Sequence, residues 1–251
     1  MTDEYGLFKQ LKDSGIREDD TVTVHISLKA VGKIESEKTG ADAVLDALLA
    51  AVPRGLLLIP SHTWANVRET PVYDVRNTMP CIGTLPKIAV LRANAAVDRK
   101  DPTCIRSMHP AHSVVAFGKD AVSYTEDDKR AETPMPAFGS YRKLCQRHAK
   151  ILLVGVTQVN NTFIHAVDEY MQPDGISAPY PVTAIDYEGN AVVRRVCNCH
   201  GPSHENDRYM PVLREAGAVT FGKLGEAEVM VCDARKTFDA IASVWHAFNP
   251  R

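Results

Sequence analysis

Two short segments constrain this chain most. LLLIP at 56–60 and ILLVGV at 151–156 carry no polar side chain. A strand with one wet face alternates apolar and polar residues, whereas a strand without alternation is covered on both faces. The covering layers are written beside them. ADAVLDALLAAV places Ala41, Val44, Leu45, Leu48 and Leu49 on one helical face, and Pro53 and Gly55 stop it. Before it, TVTVHISL at 21–28 alternates β-branched residues as a strand does. An amphipathic helix around LFKQLKDSG ends at Gly15. Further along, KIAVLRANAAV reads as helix, SVVAFG as strand, SYRKLCQRH as helix, and EAEVMVCDA with TFDAIASVWHAF as a closing strand and helix.

After residue 181 the pattern changes. VTAIDYEGNAVVRRV predicts a hairpin turning at Glu188, Gly189 and Asn190, and a helix follows near ENDRYMPVLREAG. Hairpins beside β/α units imply an α/β fold with a mixed β-sheet and flanking helices, rather than a purely parallel sheet or a TIM barrel. From Ser61 to about Leu85 no periodicity survives, so a long loop is expected there, of the kind that carries function. With 251 residues, no internal repeat and no evident linker, one domain over 1–251 is the expectation.

Charge narrows the partners. Acidic residues number 31 against 29 basic ones, which lacks the excess cation that nucleic-acid affinity requires. No stretch approaches 18 uninterrupted apolar residues, and the first residues do not read as a signal peptide, so no membrane partner and a cytoplasmic location are expected. The six cysteines are then expected as thiols.

Four constellations carry chemistry. NNTFIHAVDEY at 160–170 follows the buried ILLVGV strand and opens a helix, the place where α/β proteins build sites. Asn161 or Thr162 can cap that helix, and His165 shares a face with Asp168 and Glu169, either of which could hold the imidazole as a general base. Alone, the same spacing also describes a capped helix with a half-buried histidine and a surface ion pair. In CIRSMHPAHSVVAFG at 104–118, Arg106, Ser107, His109, His112 and Ser113 crowd the start of a strand. That arginine could grip a phosphate or carboxylate, or the cluster could simply satisfy a turn. VHISLKAVG ends a strand in His25, Ser27 and a glycine turn, whose amides could bind an anion or a carbonyl. Cys197, Cys199, His200 and His204 in CNCHGPSH offer zinc-type ligands at cramped spacing, and no metal is assigned to them. A metal-dependent hydrolase built on these residues and the other histidines is the alternative from a different class. Walker, dinucleotide, nucleophile-elbow and His-Glu-x-x-His motifs are absent.

Taken in order, VHISLKAVG, LLLIPSHTW, PVYDVRNTMPCIGTLPKIAVLR, RSMHPAHS, ILLVGV with NTFIHAVDE, and GKLGEAEVMVCDAR resemble the aminoglycoside 3-N-acetyltransferase family over nearly the whole chain. Arg-Ser-x-His-Pro-x-x-Ser at 106–113 and Asn-Thr-x-x-His at 161–165 are the most specific matches. The resemblance implies that family's α/β fold and transfer of acetyl from acetyl-coenzyme A to an amine, in the first place the 3-amino group of a 2-deoxystreptamine aminoglycoside. A housekeeping relative acting on another amine would look the same. His165 corresponds to the family's catalytic histidine, and the family's glutamate three residues on is here Asp168, with Glu169 beside it. On the same reading, coenzyme A meets His25, Ser27, Leu28, Arg106, Ser107 and Ser113, and the substrate meets Tyr73, Asp74, His109 and His204. A homodimer is compatible with all of this.

Overall fold

The computed structural model describes residues 2–199 and 203–249. A seven-stranded sheet runs through it, with strands labelled here in chain order as β1 Thr21–Ile26, β2 Leu56–Pro60, β3 Cys104–Arg106, β4 Val114–Phe117, β5 Lys150–Val154, β6 Val219–Leu224 and β7 Ala227–Asp233. Their spatial order is β6-β7-β5-β1-β2-β4-β3. The three central strands β5, β1 and β2 are parallel, and every pairing outside them is antiparallel. The sheet is therefore mixed, as expected, with its antiparallel pairs on both flanks supplied by β3, β4, β6 and β7 and not by the expected hairpin, which lies in a separate sheet.

Helices cover both faces. α1 Glu4–Asp13, α2 Gly40–Ala51 and α3 Thr84–Asp98 pack on one face with Val22, Val24, Leu57, Ile59, Leu152 and Val154. α4 Ser140–Gln146, α5 Ile164–Met171 and α6 Ala234–Phe248 pack on the other with Leu56, Leu58, Ile151 and Leu153. Successive residues of β2 and β5 thus enter opposite hydrophobic clusters, which is why these two segments carry no polar side chain on either face. Three of these six helices start on a side-chain cap, Asp3 accepting from the Gly6 amide, Thr39 from Asp42 and Asp233 from Lys236. Among the described residues no helix is long and apolar enough to cross a membrane.

The expected loop at 61–85 is partly ordered into elements. It contains a helix, Trp64–Glu69, and a strand, Val72–Asp74, which pairs in parallel with Tyr180–Ile185. Together with Ala191–Val196, the second strand of the expected hairpin, these form a three-stranded sheet over Val67, Tyr73, Val75, Val182, Ala184 and Val196. Six helical residues and three strand residues are too few to show a period in sequence. The same brevity hides β3, and β6 is a further addition to the sequence-based expectation.

One turn decides how the chain leaves the sheet. Gly155, directly after β5, has φ of +61°, and a Cβ there would lie 2.3 Å from the Ala30 Cβ. The Ser27 amide donates to the Val154 carbonyl at 2.9 Å, so the single helical turn Leu28–Val31 lies hard against this bend. Gly155→Ala combines a left-handed backbone with overpacking, so it is expected to cost about 2–4 kcal/mol. Denaturant unfolding measures this, and an unchanged midpoint would contradict the packing described.

Candidate active site

Parallel strands deliver their carboxyl ends to one edge of a sheet, and here that edge opens into a cavity of about 500 Å³. β1 contributes His25 and Ile26, and β2 contributes Pro60 with His62 just beyond it. From β5 the chain passes Val156, Asn160 and Thr162 along the wall and then enters α5, whose first turn carries His165. Asn161 organises that entry: its Oδ1 accepts from the Phe163 amide at 3.2 Å, and its Nδ2 donates to Gln158 Oε1 at 2.8 Å.

His165 is held from behind. Its Nδ1 lies 3.2 Å from Asp168 Oδ2, one turn along α5. The other oxygen, Asp168 Oδ1, accepts from the indole Nε1 of Trp245 on α6 at 2.9 Å. With Nδ1 donating to the carboxylate, Nε2 is the nitrogen left to accept a proton, and the ring lines the cavity. Glu169 takes no part in this contact, which corrects its expected catalytic place. Its carboxylate accepts from the Thr133 hydroxyl at 2.5 Å and the Met135 amide at 2.8 Å, and burial pushes its pKa up.

Three further histidines line the cavity, all kept neutral chiefly by burial. His25 is pushed down to about 4, and its Nε2 has no hydrogen-bond partner. His62 falls to about 3 through burial, with the neighbouring histidines and Arg106 adding repulsion, and its Nε2 meets the Tyr141 hydroxyl. His112 is also lowered by burial, packs edge-on against His62 at 5.3 Å, and touches Cys199 Sγ at 3.2 Å through Nε2. The placement of His62 and Trp245 at the site was not foreseen. His62 follows a buried strand's carboxyl end, the same signal that marks 160–165, whereas nothing local marks Trp245.

A family model for aminoglycoside 3-N-acetyltransferase matches residues 23–246. This chain belongs to that family. Aminoglycoside N(3)-acetyltransferase III of Serratia marcescens is 28% identical over 167 residues, covering 60% of this chain and 58% of its own length. The YokD protein of Bacillus subtilis, described as aminoglycoside N(3')-acetyltransferase-like, is 29% identical, covering 66% of this chain and 64% of its own. The chain thus spans less than two thirds of the length of these two relatives in the aligned segments. Aminoglycoside N(3)-acetyltransferase VII of Streptomyces paromomycinus aligns more fully, at 24% identity over 93% of this chain and 88% of its own. Among solved structures, AAC-IIIb in a binary complex with CoASH superposes with a TM-score of 0.80 at 19% identity, covering 99% of this chain and 98% of that one. AAC-VIa bound to sisomicin gives 0.78 at 22%, covering 98% of each chain. The family fold expected from sequence is the fold observed.

Within this family fold, several residues expected to meet ligands are structural. Arg106 is 1% exposed and lies over the Tyr73 ring, 5.1 Å from its centroid. Its guanidinium donates to the carbonyls of Ser61, Val75 and Thr78 and to the hydroxyls of Ser61 and Ser113. It has no surface to offer coenzyme A. Ser107 accepts from the Val114 amide, and Ser113 is buried against Ser61, so neither reaches a ligand. Tyr73 is fully buried and donates to the Ser107 carbonyl. Asp74 caps its own turn, accepting from the Arg76 and Asn77 amides, and lies outside the cavity wall. His109 is locked by its Nδ1, which accepts from the Ala111 and His112 amides, while Nε2 donates to the Thr133 carbonyl at 3.0 Å. Ser27 caps the Leu28–Val31 turn through the Ala30 amide, and neither it nor Leu28 lines the cavity. His204 is at the surface beside Glu205, whereas its neighbour Ser203 reaches the wall.

The zinc-type cluster does not converge. Cys197 is buried, Cys199 faces His112 and His204 points outward, and His200 lies outside the described residues. Among the described residues no three His, Cys, Asp or Glu side chains form a group that could hold a metal ion.

The neutral histidines make the fold acid-sensitive. A buried histidine whose folded pKa lies below its ordinary value of 6.5 binds its proton more readily when unfolded, so stability is full above about pH 6.5 and falls as the pH drops. The fall attributable to His25 ends near pH 4, and that of His62 near pH 3. Across its window His25 is expected to cost up to roughly 3 kcal/mol and His62 up to roughly 5 kcal/mol. Unfolding midpoints measured from pH 8 to about pH 4 test this, and a His25→Gln variant should flatten the upper part of the curve.

Proposed function

We propose that this chain transfers the acetyl group of acetyl-coenzyme A to an amine, with His165 as the general base. The single observation that carries the reading is the Trp245–Asp168–His165 chain, which ends on the cavity wall at the carboxyl edge of three parallel strands. An amine that is ammonium near neutral pH must lose a proton before its nitrogen can attack a thioester carbon. His165 Nε2 accepts that proton, and Asp168 holds the Nδ1 proton and offsets the charge the ring acquires. As the N–C bond forms and the C–S bond breaks, the imidazolium gives its proton to the departing sulfur, and the second proton that the nitrogen sheds on becoming an amide passes to solvent, leaving an N-acetyl amine, free coenzyme A and one released proton.

The transient negative charge on the carbonyl oxygen needs donors. Thr162 and Asn198 supply candidates in the same wall. The Asn198 Oδ1 already accepts from the Tyr180 hydroxyl at 3.1 Å, which leaves its Nδ2 protons for a ligand. The CoASH complex of AAC-IIIb and the sisomicin complex of AAC-VIa support a coenzyme A thioester and an amine as the two substrates. The relatives' names make aminoglycosides, and their 3-amino group, the first acceptors to assay. The single-domain organisation and the soluble, cytoplasmic setting belong to the same proposal.

With acetyl-coenzyme A and an accepted amine, release of free thiol follows turnover. His165→Ala is expected to lower kcat by about 10²- to 10⁴-fold with little change in the KM for acetyl-coenzyme A. Asp168→Asn should also lower kcat, because an amide can turn its NH₂ toward Nδ1 and select the wrong tautomer. A His165→Ala protein that keeps its kcat removes the proposed base.

A further inference from the structure

Among the described residues that line it, the cavity carries one cation and no anion. Arg68, on the Trp64–Glu69 helix that follows β2, reaches its wall, and no aspartate or glutamate does. Three carboxylates close to lining residues in sequence are committed elsewhere: Asp168 to His165 and Trp245, Glu169 to Thr133 and Met135, and Glu205 to Arg208. Glu69, adjacent to Arg68, lies outside the wall. Arg68 is exposed and lines the cavity, and among the described residues no carboxylate forms a salt bridge with it. The remaining polar lining adds neutral groups: the histidines at 25, 62 and 112 are uncharged, and Asn160, Asn198 and Thr162 supply amides and a hydroxyl.

Such a cavity is a poor host for a polycation. An acceptor with several ammonium groups would lose hydration on entry, find no carboxylate to replace it, and meet Arg68 as a like charge. It is a good host for the opposite charge, since an unpaired guanidinium binds phosphate or carboxylate through parallel N–H donors. We infer that the acceptor is an amine that also carries an anionic group, phosphate or carboxylate, and that Arg68 reads that group while His165 takes the proton from the amine. This inference rests on the proposed N-acetyl transfer and departs from the relatives in the acceptor's charge. The other source of the same chemistry is a phosphate of coenzyme A itself, and kinetics separates the two.

The test compares glucosamine 6-phosphate, glucosamine and sisomicin as acceptors with acetyl-coenzyme A, in the unaltered protein and in Arg68→Ala and Arg68→Glu. The amine sits on the same sugar ring in the first two, so only the anion differs. The expected result is a kcat/KM for glucosamine 6-phosphate roughly 10- to 100-fold above that for glucosamine, the worth of one charge-assisted pair. Arg68→Ala should abolish that preference through the acceptor KM while the KM for acetyl-coenzyme A holds, and Arg68→Glu should shift preference toward sisomicin. Preference of the unaltered protein for sisomicin would overturn the inference and leave N-acetyl transfer standing. A rise in the KM for acetyl-coenzyme A in Arg68→Ala, with the acceptor KM unchanged, would assign the arginine to the coenzyme and overturn it equally. Acetylation of none of the three amines would count against the transfer reading itself, and the inference would fall with it.

Discussion

The candidate site turns on the carboxylate of Asp168, a buried residue, which is shared between donors on two different helices. A carboxylate so little hydrated must be satisfied by protein groups, and the indole of Trp245 satisfies one oxygen. That fixes the plane of the group and aims the second oxygen at His165. The indole comes from 77 residues away, so the geometry of the histidine depends on how α6 packs against α5. Phe163, Val167, Ile241 and Trp245 belong to one hydrophobic cluster, which makes that packing a property of the core rather than of a loop.

A second constraint holds the opposite wall. Arg106 is a buried cation without a carboxylate, neutralised by three carbonyls, two hydroxyls and the face of Tyr73. Apart from Ser113, just before β4, those partners sit at the end of β2, in the Val72–Asp74 strand and in the turn that follows, so one guanidinium fastens the 61–78 segment to the large sheet. The Trp64–Glu69 helix, with Arg68, is carried by that segment. Apart from His112, which lines the cavity, the polar residues at 106–113 therefore form a rigid support beneath it.

Much of this was legible in the sequence where a physical rule has a local signature. Unbroken apolar runs located β2 and β5, and turn residues at 188–190 located the hairpin. Spacing put His165 beside both Asp168 and Glu169 but could not choose between them, because i+3 and i+4 neighbours share one helical face. The choice is made by what lies behind the helix: Thr133 and Met135 claim Glu169, and Trp245 claims Asp168. The family resemblance implies ligand contacts for Arg106, Tyr73 and His109, and no local pattern in the sequence marks them as buried. Their burial follows from the three-stranded sheet closing over them, and a three-residue strand such as Val72–Asp74 leaves no period to read.

A crystal structure with coenzyme A bound tests most directly the proposal that the reacting thioester lies at His165. The prediction is that the sulfur lies in the cavity at the carboxyl ends of β5, β1 and β2, within contact of the His165 ring. A second groove of about 450 Å³ opens at the other end of β2, where Arg99 and Lys119 flank Phe117. Coenzyme A seated there, with its sulfur remote from His165, would contradict the account.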